Sequence, residues 1–370
     1  MKAKKLTRLL IYFFLAVLFA FSGYAIIIYT ANKPPVEEIN RAREALASAK
    51  GKKTGKYAVE SFKKAEKLYN DAIAEWEYQN RQFFMRRDFS FTSELAVKSY
   101  NQVMSSVEEA DESRMKLKQD AEHKLALLKK QIEYFEKYYK NLALGSSILH
   151  LFSKGKTYFT EAQIEFKRDE YVQSLRSIFR AEQKLSQAEK LAFFKLTEFY
   201  NNYPGWQENT RLAYNLSQKG QIVFLIDKME SSLIVLKSGK EFKTFAVEFG
   251  ENWMGDKAIK GDKATPEGIY KVQTKKSNSK TKYYKALLLN YPNKEDQKQY
   301  DELVRLGRIS KNAGIGGLVE IHGEGGKGVH WTDGCIALEN GEMDIVYRLG
   351  TVNTPVIIVG SRKSMEEYLN

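Results

Sequence analysis

The chain has 370 residues, with 59 Lys and Arg against 46 Asp and Glu, which gives a formal net charge of +13. Such a basic balance suits nucleic acid, anionic lipid or an anionic wall polymer. The basic residues alternate with acidic ones, however, and no nucleic-acid motif is present, so we predict a solvated charged surface and no nucleic-acid partner. The single cysteine excludes an intramolecular disulfide.

The N-terminus has the pattern of a membrane anchor. Residues 1–8 contain four basic side chains, and residues 9–32 then run without a charge. About 20 apolar residues cross a bilayer as a helix, and basic residues ahead of them favour the cytoplasmic side. We predict a cytoplasmic segment at 1–8 and a single-pass anchor at 9–32 in the inner (cytoplasmic) membrane, with the remainder facing the periplasm or cell wall. The alternative is a cleaved signal peptide, for which Gly23-Tyr24-Ala25 is a poor cleavage site.

The next segment, residues 36–205, has the pattern of an all-α region. Glycine and proline are scarce, and apolar residues recur every three or four positions, as in Val59 to Ile73. We predict a helical hairpin or bundle with coiled-coil-like stripes, which serves as a spacer or binds an envelope protein. Its aromatic side chains are expected to pack in the core. Breaks are predicted at four places: 51–55, 90–93, 145–147 and 155.

An internal repeat is a further prediction for this region. Gly55-Lys56 and Gly155-Lys156 each open a helical stretch rich in alanine and aromatic residues, one hundred positions apart. Two related helical hairpins would produce this spacing. His123 and His150 have no carboxylate or cysteine at metal-ligand spacing, and we interpret both as ordinary helix residues.

After Pro204-Gly205 the pattern changes to short β-branched runs, and we predict a β-rich domain at 219–361. Its residues 271–285 are rich in Lys, Ser and Thr and predict an exposed loop. Residues 294–308 predict a helix. Predicted strands lie at 221–227, 232–236, 242–249, 268–273, 286–289, 319–322 and 356–359.

Residues 321–338 carry the chemistry. They contain the only cysteine, Cys335, and two of the four histidines, His322 and His330. A thiol that follows a glycine and has a histidine nearby suggests a nucleophile on a tight turn, whose backbone N–H groups face a developing oxyanion. The alternative is that Cys335 is a small buried hydrophobe.

The segments around these residues resemble a known family. Ile321-His322-Gly323 and Thr332-Asp333-Gly334-Cys335-Ile336 are similar to the signature of the YkuD-type (ErfK-like) L,D-transpeptidase catalytic domain. Further landmarks follow in the family's order over about 140 residues. They are Gly255 to Lys257, Gly261-Asp262, Thr265 to Tyr270, Tyr291 to Asn293 with Asp296, and Gly350-Thr351 with Pro355 to Ile358.

The resemblance implies a peptidoglycan L,D-transpeptidase that needs no cofactor. Its cysteine attacks a stem tetrapeptide, D-Ala leaves, and the thioester passes to an amine of a second stem, giving a 3–3 crosslink, or to a protein. It assigns Cys335 as nucleophile, His322 as base, and the Gly334 and Cys335 N–H groups as oxyanion donors, with Thr332 supporting the turn. An imidazolium and the turn are expected to lower the pKa of the thiol.

The chain departs from the family at two positions. Asp333 stands where many members have His, and Ala337 stands where many have Arg, so recognition of the substrate carboxylate is unassigned. Three further residues are candidates for a supporting or substrate-binding part: Gly323, His330 and Asp333.

Three alternatives remain open from the sequence. An L,D-carboxypeptidase or related hydrolase would use the same thioester and transfer it to water. A non-catalytic wall-binding scaffold would act through the helical region. A zinc peptidase would use His322, His330, Asp333 and Cys335, but their spacing matches no zinc signature, so we predict no metal.

Overall fold

The computed structural model of the chain describes residues 2–31 and 33–370. Met1 and Asn32, the outer residues of the predicted basic terminus and anchor, lie outside this description. The helices, in chain order, are α1 Lys2–Ala31, α2 Val36–Gly51, α3 Thr54–Tyr57, α4 Val59–Arg81, α5 Ser90–Tyr138, α6 Ser146–Lys167, α7 Tyr171–Tyr200, α8 Tyr203–Gln218, α9 Lys294–Arg305, α10 Asn340–Leu349 and α11 Met365–Leu369. The strands are β1 Val223–Asp227, β2 Ser232–Lys237, β3 Lys240–Ala246, β4 Gly268–Ser277, β5 Lys285–Leu289, β6 Glu320–His322, β7 Ile336–Ala337 and β8 Pro355–Val359.

The predicted fold class is confirmed. An apolar N-terminal helix is followed by the helices of the all-α region and then by a β-rich domain with the YkuD fold. Residues 5–27 of α1 are long and apolar enough to cross a membrane, and their side chains are not buried by the rest of the protein.

The chain divides into two compact units. One contains Met1–Leu125 and Glu161–Arg176, and the other contains Ala126–Thr160 and Ser177–Asn370. In the second unit two aromatic residues pack as predicted. Phe135, near the end of α5, and Tyr139, just after it, are buried, and the Phe135 ring stacks on Phe152 with centroids 4.0 Å apart. Tyr134 is exposed.

The predicted helix break at Gly155 is wrong, because α6 runs through it. A Cβ atom at this position would lie 2.7 Å from the Leu185 Cγ of α7. The glycine therefore allows close approach of two helices, which its sequence pattern does not distinguish from a turn. The predicted breaks near 51–55 and 145–147 do separate helices.

The eight strands form one sheet in the order β3-β2-β1-β8-β4-β5-β6-β7. Strands β1 and β2 are buried along their lengths, except for Lys237, since α8 covers one face of the sheet. Beyond β3, Glu248 bridges to Ala337 of β7 at the opposite edge, and Gly250 bridges to Thr332. The sheet is therefore curled, and its two edges meet beside Cys335.

The predicted exposed loop at 271–285 is partly wrong. Strand β4 continues to Ser277 and pairs with β5, so its lysines lie on a strand. Only residues 278–284 connect the two strands. The alternation of lysine and polar residues fits one exposed face of an antiparallel pair as well as it fits a loop.

Candidate active site

His322 ends β6 and its side chain is completely buried. Its Nδ1 lies 2.6 Å from the carbonyl oxygen of Gly323. Because a carbonyl can only accept, Nδ1 carries the proton and Nε2 holds a lone pair. Among the described residues none hydrogen-bonds this Nε2. The imidazole is thus fixed in the tautomer that a general base requires.

Cys335 directly precedes β7 and its side chain is half-buried. Parallel pairing sets Ile321 opposite Ile336 and His322 opposite Ala337. Since side chains alternate along a strand, both isoleucines face the core, while Cys335 and His322 share the other face. The thiol donates weakly to the carbonyl of Leu318, with Sγ and oxygen 3.7 Å apart.

Thr332 holds the turn before the cysteine. Its buried hydroxyl donates to the carbonyl of Cys335 at 2.7 Å and accepts from the N–H of Gly334 at 3.2 Å. The Gly334 N–H, which is expected from the sequence to be an oxyanion donor, is therefore paired within the turn in this structure. No hydrogen-bond acceptor for the N–H of Cys335 is found in the described part of the chain.

Gly334 is required by its conformation and its surroundings. Its φ is +121°, and a Cβ atom there would lie 2.5 Å from the carbonyl oxygen of Ala264. Gly250 packs as closely, since its Cβ would lie 2.1 Å from the carbonyl of Lys263 and 3.1 Å from the Gly334 nitrogen. The turn therefore rests directly on the neighbouring backbone, which fixes the amide groups next to Cys335.

The ionisation of the pair differs from the sequence expectation. Burial raises the pKa of the Cys335 thiol to about 11, although the nearby Glu320 N–H opposes this shift. Burial also lowers the pKa of His322 from its usual value of 6.5, more than the Gly323 hydrogen bond raises it. At neutral pH the resting pair is therefore thiol and neutral imidazole, because desolvation disfavours both charged forms.

Glu248 is a supporting residue that no sequence pattern identifies. Its side chain is buried, and its two carboxylate oxygens accept from the N–H of Gly328 and the indole N–H of Trp331, each at 2.7 Å. Its backbone forms both hydrogen bonds of the bridge to Ala337. One residue thus ties the glycine-rich loop to β7.

The other candidate residues have distinct positions. Both ring nitrogens of His330 have hydrogen-bond partners: Nδ1 accepts from the Phe249 N–H at 3.0 Å, and Nε2 lies 3.4 Å from the Ser231 hydroxyl. Asp333 is exposed at the tip of the turn. Gly323 packs closely, because a Cβ atom there would lie 2.6 Å from the Asn340 Oδ1. Its carbonyl orients His322, so its contribution comes from the backbone.

Two aromatic rings enclose the imidazole. Tyr283, from the β4–β5 connection, stacks on His322 with centroids 3.6 Å apart and planes inclined by 9°. Trp331 meets the same ring edge-on at 6.1 Å. Within residues 2–31 and 33–370, no group of three or more His, Cys, Asp or Glu side chains is arranged to hold a metal ion.

Residues 221–358 match the YkuD family, described as the L,D-transpeptidase catalytic domain. No curated protein matches the chain.

Several solved structures are similar over 38% to 40% of the chain. The Bdellovibrio bacteriovorus protein Bd1075 is 23% identical, with 40% of this chain and 52% of that chain covered and a TM-score of 0.30. The Xylanimonas cellulosilytica L,D-transpeptidase (residues 123–326) is 15% identical, with 38% of this chain and 61% of that chain covered and a TM-score of 0.25. Mycobacterium tuberculosis L,D-transpeptidase 1 is 14% identical, with 38% of this chain and 62% of that chain covered and a TM-score of 0.25. The chain thus covers between half and two thirds of the length of these structures.

The family match begins just before β1 and ends within β8, and it contains both His322 and Cys335. Residues 221–358 of this chain are a YkuD L,D-transpeptidase catalytic domain.

Proposed function

We propose that this chain is a peptidoglycan L,D-transpeptidase in which Cys335 is the nucleophile and His322 is the general base. The family match supports the general activity. The observation that carries the residue assignment is the unpaired Nε2 of a buried histidine whose tautomer is fixed by Gly323. This nitrogen lies on the same face as the only thiol of the chain.

In the acylation step, Nε2 of His322 accepts the proton of Cys335 as Sγ attacks the carbonyl carbon before D-Ala. The sulfur–carbon bond forms and the carbonyl electrons move to oxygen. When the tetrahedral intermediate collapses, the carbon–nitrogen bond breaks and the imidazolium returns its proton to the leaving D-Ala amine. A thioester and neutral His322 remain.

In the transfer step, an amine of a second stem peptide attacks the thioester. His322 accepts a proton from this amine, the new amide forms, and the sulfur leaves and is reprotonated by the imidazolium. In each half-reaction Nε2 of His322 therefore accepts one proton and returns it, while Nδ1 keeps its proton and its hydrogen bond to Gly323. Water in place of the amine would give hydrolysis, as in an L,D-carboxypeptidase.

The developing oxyanion needs donors that are already in place. We propose the N–H of Cys335 for this part, since the Gly334 N–H is paired with Thr332. Loss of one such donor typically reduces the rate by about 100- to 1,000-fold. Thr332, Gly334 and Glu248 then act by holding the turn and the loop in position.

We further propose that α1 anchors the protein in the cytoplasmic membrane as a single span, with residues 1–8 inside and the catalytic domain facing the wall. The length and composition of residues 5–27 support this placement. The helical region at 36–205, which we propose as a spacer or partner-binding region, would then lie between the anchor and the catalytic domain at 219–361 in the chain order.

The product of the reaction tests the function. Incubation of the detergent-solubilised chain with a disaccharide tetrapeptide is expected to release D-Ala and give a crosslinked dimer, resolved by chromatography and mass spectrometry. Tripeptide without dimer would assign hydrolysis instead. Binding without any change of the tetrapeptide would support a non-catalytic scaffold.

The pH dependence tests the resting protonation state. Alkylation of Cys335 by iodoacetamide is expected to be slow near pH 7 and to accelerate towards the thiol pKa of about 11. With the substrate, kcat/KM is expected to fall only below pH 6.5, because His322 acts as a base when neutral and its pKa is lowered. Fast alkylation, independent of pH between 5 and 8, would indicate a resting thiolate and contradict this assignment.

A further inference from the structure

The β4–β5 connection brings a lysine to the candidate active site. Tyr283 stacks on His322, as described above, and Lys282 immediately precedes it. The Lys282 side chain is exposed, and its ammonium group lies 4.9 Å from the centroid of the Tyr283 ring. Because Tyr283 is held flat against a buried imidazole, the backbone that carries Lys282 is fixed beside the reacting groups.

Most of the neighbouring cations are already neutralised. The lysines near the site that have carboxylate partners are Lys257 with Asp262 at 2.6 Å, Lys263 with Glu251 at 2.7 Å, Lys276 with Glu320 at 2.7 Å, and Lys285 with Asp344. Lys327 lies over the Trp331 ring at 3.1 Å. For Lys282, the described residues provide no carboxylate within ion-pair distance, so its charge is available to a ligand.

The charges around the thiol favour a cation at this position. Burial raises the pKa of the Cys335 thiol most, the charges of Glu320 and Asp333 raise it further, and the ammonium group of Lys282 lowers it. A donor peptide ending in D-Ala brings a further carboxylate close to the bond that breaks. Without a nearby cation, this carboxylate would be placed among like charges.

We propose that Lys282 binds a carboxylate of the donor stem peptide and that Tyr283 fixes this lysine beside His322 and Cys335. The inference rests on the proposed function. This chain has Ala337 where many family members have an arginine, and Lys282 would supply the substrate carboxylate with a cation from another part of the sheet. Two carboxylates share this chemistry: the C-terminus of D-Ala and the side-chain carboxylate of a diaminopimelate third residue.

The test measures binding separately from turnover. In the full chain carrying Cys335→Ala, which cannot form a thioester, Kd is measured by calorimetry for three tetrapeptides: unmodified, amidated at the D-Ala terminus, and amidated at the diaminopimelate side chain. Each peptide is titrated into the parent, a Lys282→Ala variant and a Lys282→Arg variant. Lys280→Ala is the matched control, because Lys280 is an exposed lysine of the same connection.

Lys282→Ala is expected to weaken binding of the unmodified peptide by about 10- to 100-fold, as for loss of a hydrogen bond to a charged group. Lys282→Arg is expected to retain most of the affinity, and Lys280→Ala to change it less than about threefold. If one amidated peptide binds the parent and Lys282→Ala with equal Kd, the carboxylate that is amidated in that peptide is the one that Lys282 binds. The inference would be overturned by any of three results. They are equal Kd values for Lys282→Ala and Lys280→Ala, an equal loss of affinity for all three peptides in Lys282→Ala, and no binding of the unmodified peptide to the parent. Failure of the proposed function appears separately, as absence of turnover by the unmodified chain.

Discussion

Replacement of Cys335 by alanine is expected to reduce turnover of the tetrapeptide by at least about 1,000-fold. No other thiol is present in the chain, so no second group can form the thioester. Removal of a nucleophile that works together with a base typically abolishes nearly all of the chemical acceleration and leaves only what binding and the oxyanion donor provide. The loss is expected in kcat, while Kd for the donor peptide is expected to change little.

The fold is expected to survive this replacement. The Cys335 side chain is half-buried, and its thiol donates only weakly to the Leu318 carbonyl. Thermal unfolding of Cys335→Ala should therefore match that of the unmodified chain within a few degrees. Cys335→Ser serves as a control of similar size with a much poorer nucleophile. Substantial dimer formation by the alanine variant would show that the nucleophile lies elsewhere.

Replacement of Lys228 by methionine is expected to destabilise the catalytic domain by about 3 to 5 kcal/mol. The Lys228 side chain is completely buried, and its ammonium donates to the Glu267 carboxylate at 2.8 Å and to the carbonyls of Gly255 and Thr265. The other carboxylate oxygen of Glu267 accepts from the Trp206 indole at 2.7 Å. Methionine keeps the length of the side chain but leaves the buried carboxylate without its cation.

An exposed ion pair provides the matched control. Lys363 contacts Glu230 at 2.8 Å, but both side chains are largely exposed, so Lys363→Met should cost less than about 1 kcal/mol. Unfolding by urea, followed by tryptophan fluorescence, compares the two variants in the full chain. Equal unfolding midpoints for Lys228→Met and Lys363→Met would show that the buried pair does not stabilise the domain.

This buried pair also matters for the site. Thr265, whose carbonyl accepts from Lys228, uses its hydroxyl to accept from the Gly250 N–H at 3.2 Å. Gly250 in turn packs against Gly334 in the turn before Cys335. We therefore expect Lys228→Met to lower kcat under conditions in which the domain is still folded, because the turn loses part of its support.

The predictable part of the fold came from local patterns. Strands β1, β2 and β8 have β-branched runs because both of their faces are buried, and periodicity identifies such runs directly. Strand β7 was not predicted, since two residues are too few for a pattern. The helix break predicted at Gly155 is wrong, because a glycine that allows close packing of a neighbouring helix cannot be distinguished in a sequence from one that ends a helix.

For the candidate site, motif spacing selected Cys335 and His322, which lie in one continuous stretch. The sequence could not identify Glu248 or Tyr283. Glu248 reaches β7 only when the sheet curls, and Tyr283 reaches His322 only through the pairing of β5 with β6. The oxyanion donors show the same limit. The pairing of the Gly334 N–H with the Thr332 hydroxyl depends on the conformation of the turn, which the residue types alone do not specify.

The mass of the protein during reaction tests the central claim most directly. The solubilised chain is mixed with excess tetrapeptide, quenched in acid, digested and analysed by mass spectrometry. We predict an adduct equal to the tetrapeptide minus D-alanine on the peptide that contains Cys335, and none in Cys335→Ala. Turnover without this adduct, or an adduct on another residue, would contradict the account.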